Sequence, residues 1–202
     1  MTENNPLVIG ITGYPGTGKS TLAKIFKLLG CPVQNADQVV DDLLRNLEVI
    51  KTIQQFFPNA IDHNRINKSI LADIVFQDPQ KLKQLEAILH PLVYAEHQKF
   101  IEQNAYHPMV ALEIPLLFET GSENLCSGVI YTTCRSDLAW ERIKRRGWSR
   151  ARYQAILERM LPDLIKREKS QFVVDTSLSK VNTWHQLKSA LKEICNPEEL
   201  HA

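Results

Sequence analysis

Apolar positions follow two rhythms along this chain. Short, nearly unbroken apolar runs alternate with stretches where apolar residues recur at helical spacing. Leu7-Val8-Ile9-Gly10-Ile11-Thr12 is the first unbroken run and reads as a buried strand. Pro32 to Ala36 is a short second strand, and Met109 to Ile114 a third. Gly128 to Thr133 is a fourth and Phe172 to Asp175 a fifth. Between the first two, Leu22, Ile25, Phe26 and Leu29 mark a helix that Gly30 stops. Val39, Val40, Leu43 and Leu44 mark another, and a third runs from about Ile50 to Phe57, broken by Pro58-Asn59. A helix over Asp137 to Arg146 ends at Gly147, Ser149 caps the next, and Leu187, Leu191 and Ile194 form the last amphipathic face. Nearly all-apolar strands alternating with helices predict an α/β fold with a five-stranded parallel sheet covered on both faces.

One block departs from the alternation. From Ile61 to Asn104 the pattern is helical and carries no strong strand. Asn67 is placed to cap a helix containing Ile70, Leu71, Ile74 and Val75. Asp78-Pro79 opens a helix running through Leu82, Leu85, Ile88, Leu89 and Leu92, with His90-Pro91 expected to interrupt it. This divides the chain into a core over 1–60 and 105–202 and a helical insertion over 61–104.

Composition narrows the class. The 202 residues are 44% hydrophobic and 23% charged, ordinary for a globular protein, and long enough for a substantial core. No apolar run reaches membrane-spanning length, and Met1 to Pro6 lacks a signal-peptide pattern. Cys31, Cys126, Cys134 and Cys195 are scattered without metal-ligand spacing, as in a reducing compartment. The expectation is a cytoplasmic monomer or weak oligomer with no membrane partner. The net charge of +1 disfavours a general nucleic-acid binder.

Chemistry enters at Gly13-Tyr14-Pro15-Gly16-Thr17-Gly18-Lys19-Ser20, which fits the phosphate-binding pattern G-x-x-x-x-G-K-[ST] between a strand and a helix. Gly13, Gly16 and Gly18 let backbone N–H groups converge on phosphate oxygens, and the helix N-terminus adds its positive dipole end. Lys19 is expected to reach the β- and γ-phosphates of ATP, and the Ser20 hydroxyl to ligate Mg²⁺. Thr17 and Thr21 complete the expected nucleotide contacts.

Four further features carry two readings each. Asp37, just past the second strand, is either a helix N-cap or a carboxylate that accepts a proton or holds Mg²⁺ through water. The basic run of Arg142, Lys144, Arg145, Arg146 and Arg150 is either a solvated face or a lid, over about 141–160, that stabilises a transferring phosphoryl group. Glu113 ends the third strand either in water or beside Mg²⁺. His90 is either a packing residue or a ligand contact.

The chain resembles the dephospho-CoA kinase family. Beyond Gly13 to Thr21, the resemblance rests on four segments. They are Asn35-Ala36-Asp37; Leu71-Ala72-Asp73-Ile74-Val75-Phe76; Leu85-Glu86-Ala87-Ile88-Leu89-His90-Pro91-Leu92-Val93; and Ile114-Pro115-Leu116-Leu117-Phe118-Glu119. The resemblance implies a P-loop kinase that uses ATP and Mg²⁺ to phosphorylate the ribose 3′-hydroxyl of dephospho-CoA, the last step of coenzyme A biosynthesis. It implies a helical CoA-binding insertion, Asp37 as catalytic base, and His90, Pro115 and Leu116 beside the acceptor. It implies Arg142 and Arg146 as lid arginines acting with Lys19. Two departures stand out: Asn35 where the family usually has aspartate, and Asp175-Thr176-Ser177 where it tends to have asparagine and glycine. Competing readings are another small-molecule or nucleotide P-loop kinase and an ATP-binding relative with weak catalysis. A GTPase switch lacks its guanine-reading aspartate, since Asn67-Lys68-Ser69-Ile70 ends without one. An RNA-binding role for the arginine-rich region has only Trp148 and Tyr153 as interleaved aromatics.

Overall fold

The computed structural model describes residues 5–195. Strand β1 (Leu7–Gly13) runs through the glycine loop into α1 (Lys19–Leu28). Then come β2 (Val33–Asn35), α2 (Ala36–Leu43), α3 (Leu47–Phe56) and a short hairpin, β3 (Ile61–Asp62) with β4 (Arg65–Ile66). Helices α4 (Lys68–Gln77) and α5 (Pro79–Gln103) lead back to β5 (Met109–Glu113) and β6 (Gly128–Thr133). The chain closes with α6 (Ser136–Lys144), α7 (Arg150–Leu157), α8 (Asp163–Glu168), β7 (Phe172–Asp175) and α9 (Lys180–Cys195).

The main sheet has the order β2-β5-β1-β6-β7. β1 lies parallel to both β5 and β6, and β6 lies parallel to β7. The five expected strands all form, and the α/β class holds. Ile9 and Ile11 of β1, Ala111, Ile130 and Val174 pack against Leu22 and Phe26 of α1 and Leu187 of α9. Alternation along β6 sends buried Tyr131 to the opposite face, where its hydroxyl donates to Asp163 Oδ1 of α8 at 2.6 Å.

The chain separates into two compact units. One runs to Gln34 and resumes at Ile101; the other is Asn35–Phe100. The second unit starts ahead of the helical block at 61–104 because Leu44, at the C-cap of α2, and Val49 and Ile53 of α3 enter its core, with Phe57 and Ala60 just beyond. Leu71, Val75 and Leu89 complete that cluster.

Two local expectations change. Residues 61–66 form a hairpin instead of continuing the helical pattern. His63 and Asn64 take left-handed backbone conformations, φ 46° and 59°, which close the two-residue turn. Helix α5 also runs unbroken through Pro91. The proline removes one N–H donor, but the remaining bonds of a 25-residue helix carry it across the gap.

Candidate active site

The glycine loop is shaped by contacts made far along the chain. Gly13 sits at φ 149° and Gly16 at φ 85°. A Cβ on Gly13 would lie 2.5 Å from the Thr132 carbonyl oxygen, and one on Gly16 would overlap the Ala139 carbonyl. Only glycine allows both the conformation and the approach. Thr17 Oγ1 lies 2.7 Å from the Tyr14 carbonyl and 2.8 Å from Thr132 Oγ1, fixing the crown of the loop to β6. The loop delivers the chain into α1, whose opening turn presents N–H groups and the positive end of the helix dipole.

The charged and hydroxyl groups of the motif converge. Lys19 Nζ folds back over the loop and donates to the carbonyl oxygens of Gly13 at 2.7 Å and Tyr14 at 3.0 Å. That holds the ammonium above the cradle that a phosphate would enter. Ser20 Oγ donates to Glu113 Oε1 at 2.9 Å, and Glu113 is buried at the end of β5. A hydroxyl and a carboxylate side by side are hard oxygen donors, and they suit Mg²⁺, which also takes phosphate oxygens and water. Among the described residues no cluster of three or more His, Cys, Asp or Glu could hold a metal. A Mg²⁺ ligated mainly by nucleotide and solvent needs none.

Thr21 lies in the first turn of α1, its N–H donating to Gly18 O at 2.8 Å. Arg142 sits against the loop. Its Nη1 donates to Gly16 O at 3.0 Å and to Thr176 Oγ1 at 2.9 Å, and Nη2 to Thr176 O at 2.8 Å. Thr176 Oγ1 in turn donates to Thr17 O at 2.7 Å. Arg142 is thus a brace of the glycine loop, whereas Arg146 lies exposed beyond the end of α6. The neighbouring cations are also engaged: Arg150 stacks over Trp140, Arg152 over Trp148, and Arg145 pairs with Glu141.

Pro115 and Leu116 form a turn directly after β5. The Pro115 carbonyl accepts from Thr12 Oγ1 and Lys166 Nζ, both at 3.1 Å. The Leu116 carbonyl accepts from Thr120 Oγ1 at 2.9 Å. Both carbonyls serve the protein's own structure.

Asp37 and His90 belong to the other unit. Asp37 is exposed in the first turn of α2, just past the end of β2. The N-cap reading of Asp37 is overturned: Asn35 is the cap, its Oδ1 accepting from Gln38 N at 3.0 Å. His90 is exposed on α5. The structural roles that the sequence did not announce are those of Thr132, Thr176, Tyr14 and Lys166. Each acts through a contact far along the chain, so no local pattern announced it.

Comparison with known proteins gives a family. A family model described as dephospho-CoA kinase matches residues 7–181. The chain belongs to the dephospho-CoA kinase family. A dephospho-CoA kinase from Rhodopseudomonas palustris is 38% identical over 174 residues, covering 85% of this chain and 87% of the relative. The crystal structure of TT1252 from Thermus thermophilus superposes with a TM-score of 0.81 at 34% identity, covering 94% of this chain and 98% of that one. A dephospho-CoA kinase from Campylobacter jejuni superposes with a TM-score of 0.70 at 26% identity, covering 93% and 96% of the two chains. No described helix is long and apolar enough to cross a membrane.

Proposed function

We infer that this protein transfers the γ-phosphoryl group of ATP to the ribose 3′-hydroxyl of dephospho-CoA, giving coenzyme A and ADP. The observation that carries the reading is the family match over residues 7–181 laid on a fully formed glycine loop. The same reading puts the reaction in the cytoplasm.

The chain's own groups supply most of what the reaction requires. Phosphoryl transfer asks for positioning and for cations around a spreading negative charge. The loop amides and the α1 N-terminus grip the phosphate oxygens. Lys19 places its ammonium over the β- and γ-phosphates. Ser20 and Glu113 would hold Mg²⁺, and the family resemblance adds Asp37 as a ligand through water. The ion, when bound, would neutralise charge on the phosphates. Asp37 accepts the proton of the acceptor hydroxyl as its oxygen bonds to the γ-phosphorus, while the bond to the bridging oxygen of ADP breaks. Support for that role is its place in the Asn35-Ala36-Asp37 segment, one of the segments that carry the family resemblance. Arg142, bonded to Gly16 O, braces the loop, and with Arg146, exposed in the 141–160 segment, it is a lid arginine to meet the transferring phosphoryl group. The unit Asn35–Phe100 is the candidate acceptor-binding part, with His90 beside the acceptor, and Pro115 and Leu116 meet it through their apolar atoms.

Purified protein with ATP, Mg²⁺ and dephospho-CoA should form ADP and coenzyme A together. Turnover with nucleosides or sugars but not with dephospho-CoA would move the assignment to another small-molecule kinase. Asp37→Asn should lower kcat by about 10²–10⁴-fold with ATP affinity retained. A fully active Asp37→Asn protein removes Asp37 from the base role.

A further inference from the structure

Tyr14 is the first variable position of the glycine loop, and nothing in phosphate binding calls for a phenol there. Its hydroxyl donates to the Leu161 carbonyl oxygen at 2.9 Å. Leu161 directly follows the arginine-bearing stretch 141–160 and lies between α7 and α8. The Leu161 N–H donates to Glu119 Oε1 at 2.7 Å. One residue at the foot of the basic segment is therefore held on both its donor and its acceptor.

The chain of bonds continues and closes. Glu119 ends the Pro115–Glu119 segment and pairs with Lys166 at 2.8 Å. The Lys166 side chain is 0% exposed and that of Glu119 15%. Lys166 also donates to Pro115 O, the same oxygen that Thr12 Oγ1 reaches, both at 3.1 Å. Thr12 precedes Gly13, and the backbone returns to Tyr14. Thr12, Pro115, Lys166, Glu119, Leu161 and Tyr14 thus form a closed ring through three segments distant in sequence.

A buried ion pair is weak evidence of stability, because removing two charges from water is costly. What such a ring does supply is direction, since every bond fixes an angle as well as a distance. The ring ties together the loop that grips the nucleotide, the turn at Pro115-Leu116 and the foot of the basic segment. Tyr14 stays a donor throughout the working range: burial first, then the negative charges of Asp163 and Glu119, raises its hydroxyl pKa. Burial lowers the Lys166 pKa, and Glu119 opposes that.

We propose that this ring aligns the phosphoryl-transfer site, with Tyr14, Glu119 and Lys166 as positioning residues that keep the basic segment and the Pro115-Leu116 turn in register with the glycine loop. The kinetic part of its test rests on the kinase reading above; the exchange part does not. Breaking one link leaves the amide cradle intact but lets the other two segments drift. The loss therefore falls on kcat and spares affinity.

The test uses the intact protein. Tyr14→Phe removes one hydroxyl and keeps the aromatic ring, so the fold survives. With ATP, Mg²⁺ and dephospho-CoA, kcat should fall about tenfold or more while KM for ATP stays within about twofold. Glu119→Gln should show the same split. The double variant Tyr14→Phe/Glu119→Gln should be no slower than the worse single variant, because a ring opened once is already open. Multiplying effects, or wild-type kcat in Tyr14→Phe, would overturn the proposal.

Amide hydrogen exchange across residues 158–163 provides the second readout. Adding ATP should slow it by about tenfold in the wild type and leave it unchanged in Tyr14→Phe. Equal slowing in both proteins, or none in the wild type, would also overturn it. A wild type that shows the exchange response but does not turn over dephospho-CoA defeats the substrate reading and leaves the ring standing.

Discussion

The two compact units achieve order by opposite means. All 8 glycines of the chain lie outside Asn35–Phe100. The glycine-bearing unit is tied by polar bonds between residues far apart in sequence: Thr17 to Thr132, Arg142 to Gly16 and Ser20 to Glu113. The helical unit is tied locally. Asn46, Asn67 and Asp78 each accept from N–H groups two or three residues ahead, and the core is a cluster of leucine, isoleucine, valine and phenylalanine. A site built on main-chain approach tolerates almost no change at its glycines. A core of apolar helix faces tolerates exchange of one apolar residue for another of similar volume.

The comparison is broken most severely at Gly13. Gly13→Ala should abolish nucleotide binding, weakening it by about 100-fold or more, since the new methyl meets the Thr132 carbonyl at 2.5 Å in a backbone conformation unfavourable to alanine. Titration with a non-hydrolysable ATP analogue measures it. In the helical unit, Phe57 is 2% exposed, and Phe57→Ala should lower stability by about 3–5 kcal/mol in a denaturant titration. ATP affinity of the folded fraction should not change. Unchanged ATP binding by Gly13→Ala, or loss of it in folded Phe57→Ala, would erase the contrast.

Acid should act on the helical unit through His97. It is buried, and burial pushes its imidazole down to about 4. The folded chain keeps His97 neutral at pH values where the unfolded chain binds the proton. Stability is therefore fully present above the ordinary imidazole value near 6.5 and falls as pH drops toward about 4, by roughly 3 kcal/mol in all. His97→Gln should flatten this limb of the stability curve. The smallest effect belongs to a cap. Asn67→Ala removes the acceptor for the Ser69 and Ile70 N–H groups and should cost about 1 kcal/mol, read as a melting shift with kcat unchanged.

How legible each part was follows the same division. The P-loop was visible because Gly13, Gly16, Gly18, Lys19 and Ser20 are constrained by local backbone geometry and by the chemistry of a phosphate. The strands were visible because a doubly covered sheet needs unbroken apolar runs. Asn67 and Asp78-Pro79 announced their helices by capping chemistry, which is local. The hairpin at residues 61–66 escaped because two-residue strands carry too little pattern to compete with neighbouring helical periodicity. The position of Arg142 escaped because a basic run states charge without stating direction. The cap at Asn35 escaped because aspartate and asparagine cap equally well, and only the start of α2 at Ala36 decides which of positions 35 and 37 serves.

Residue order alone determined the strand–loop–helix unit, the alternating α/β plan and the pairing of an ammonium with a hydroxyl at positions 19 and 20. These follow from steric limits and periodicities felt within a few residues. Tertiary structure alone decided that Glu113 meets Ser20, that Arg142 braces Gly16, and that Tyr14 and Glu119 hold the same residue, Leu161. Those partners lie tens to more than a hundred positions apart, and only the folding of the sheet brings them within hydrogen-bonding distance.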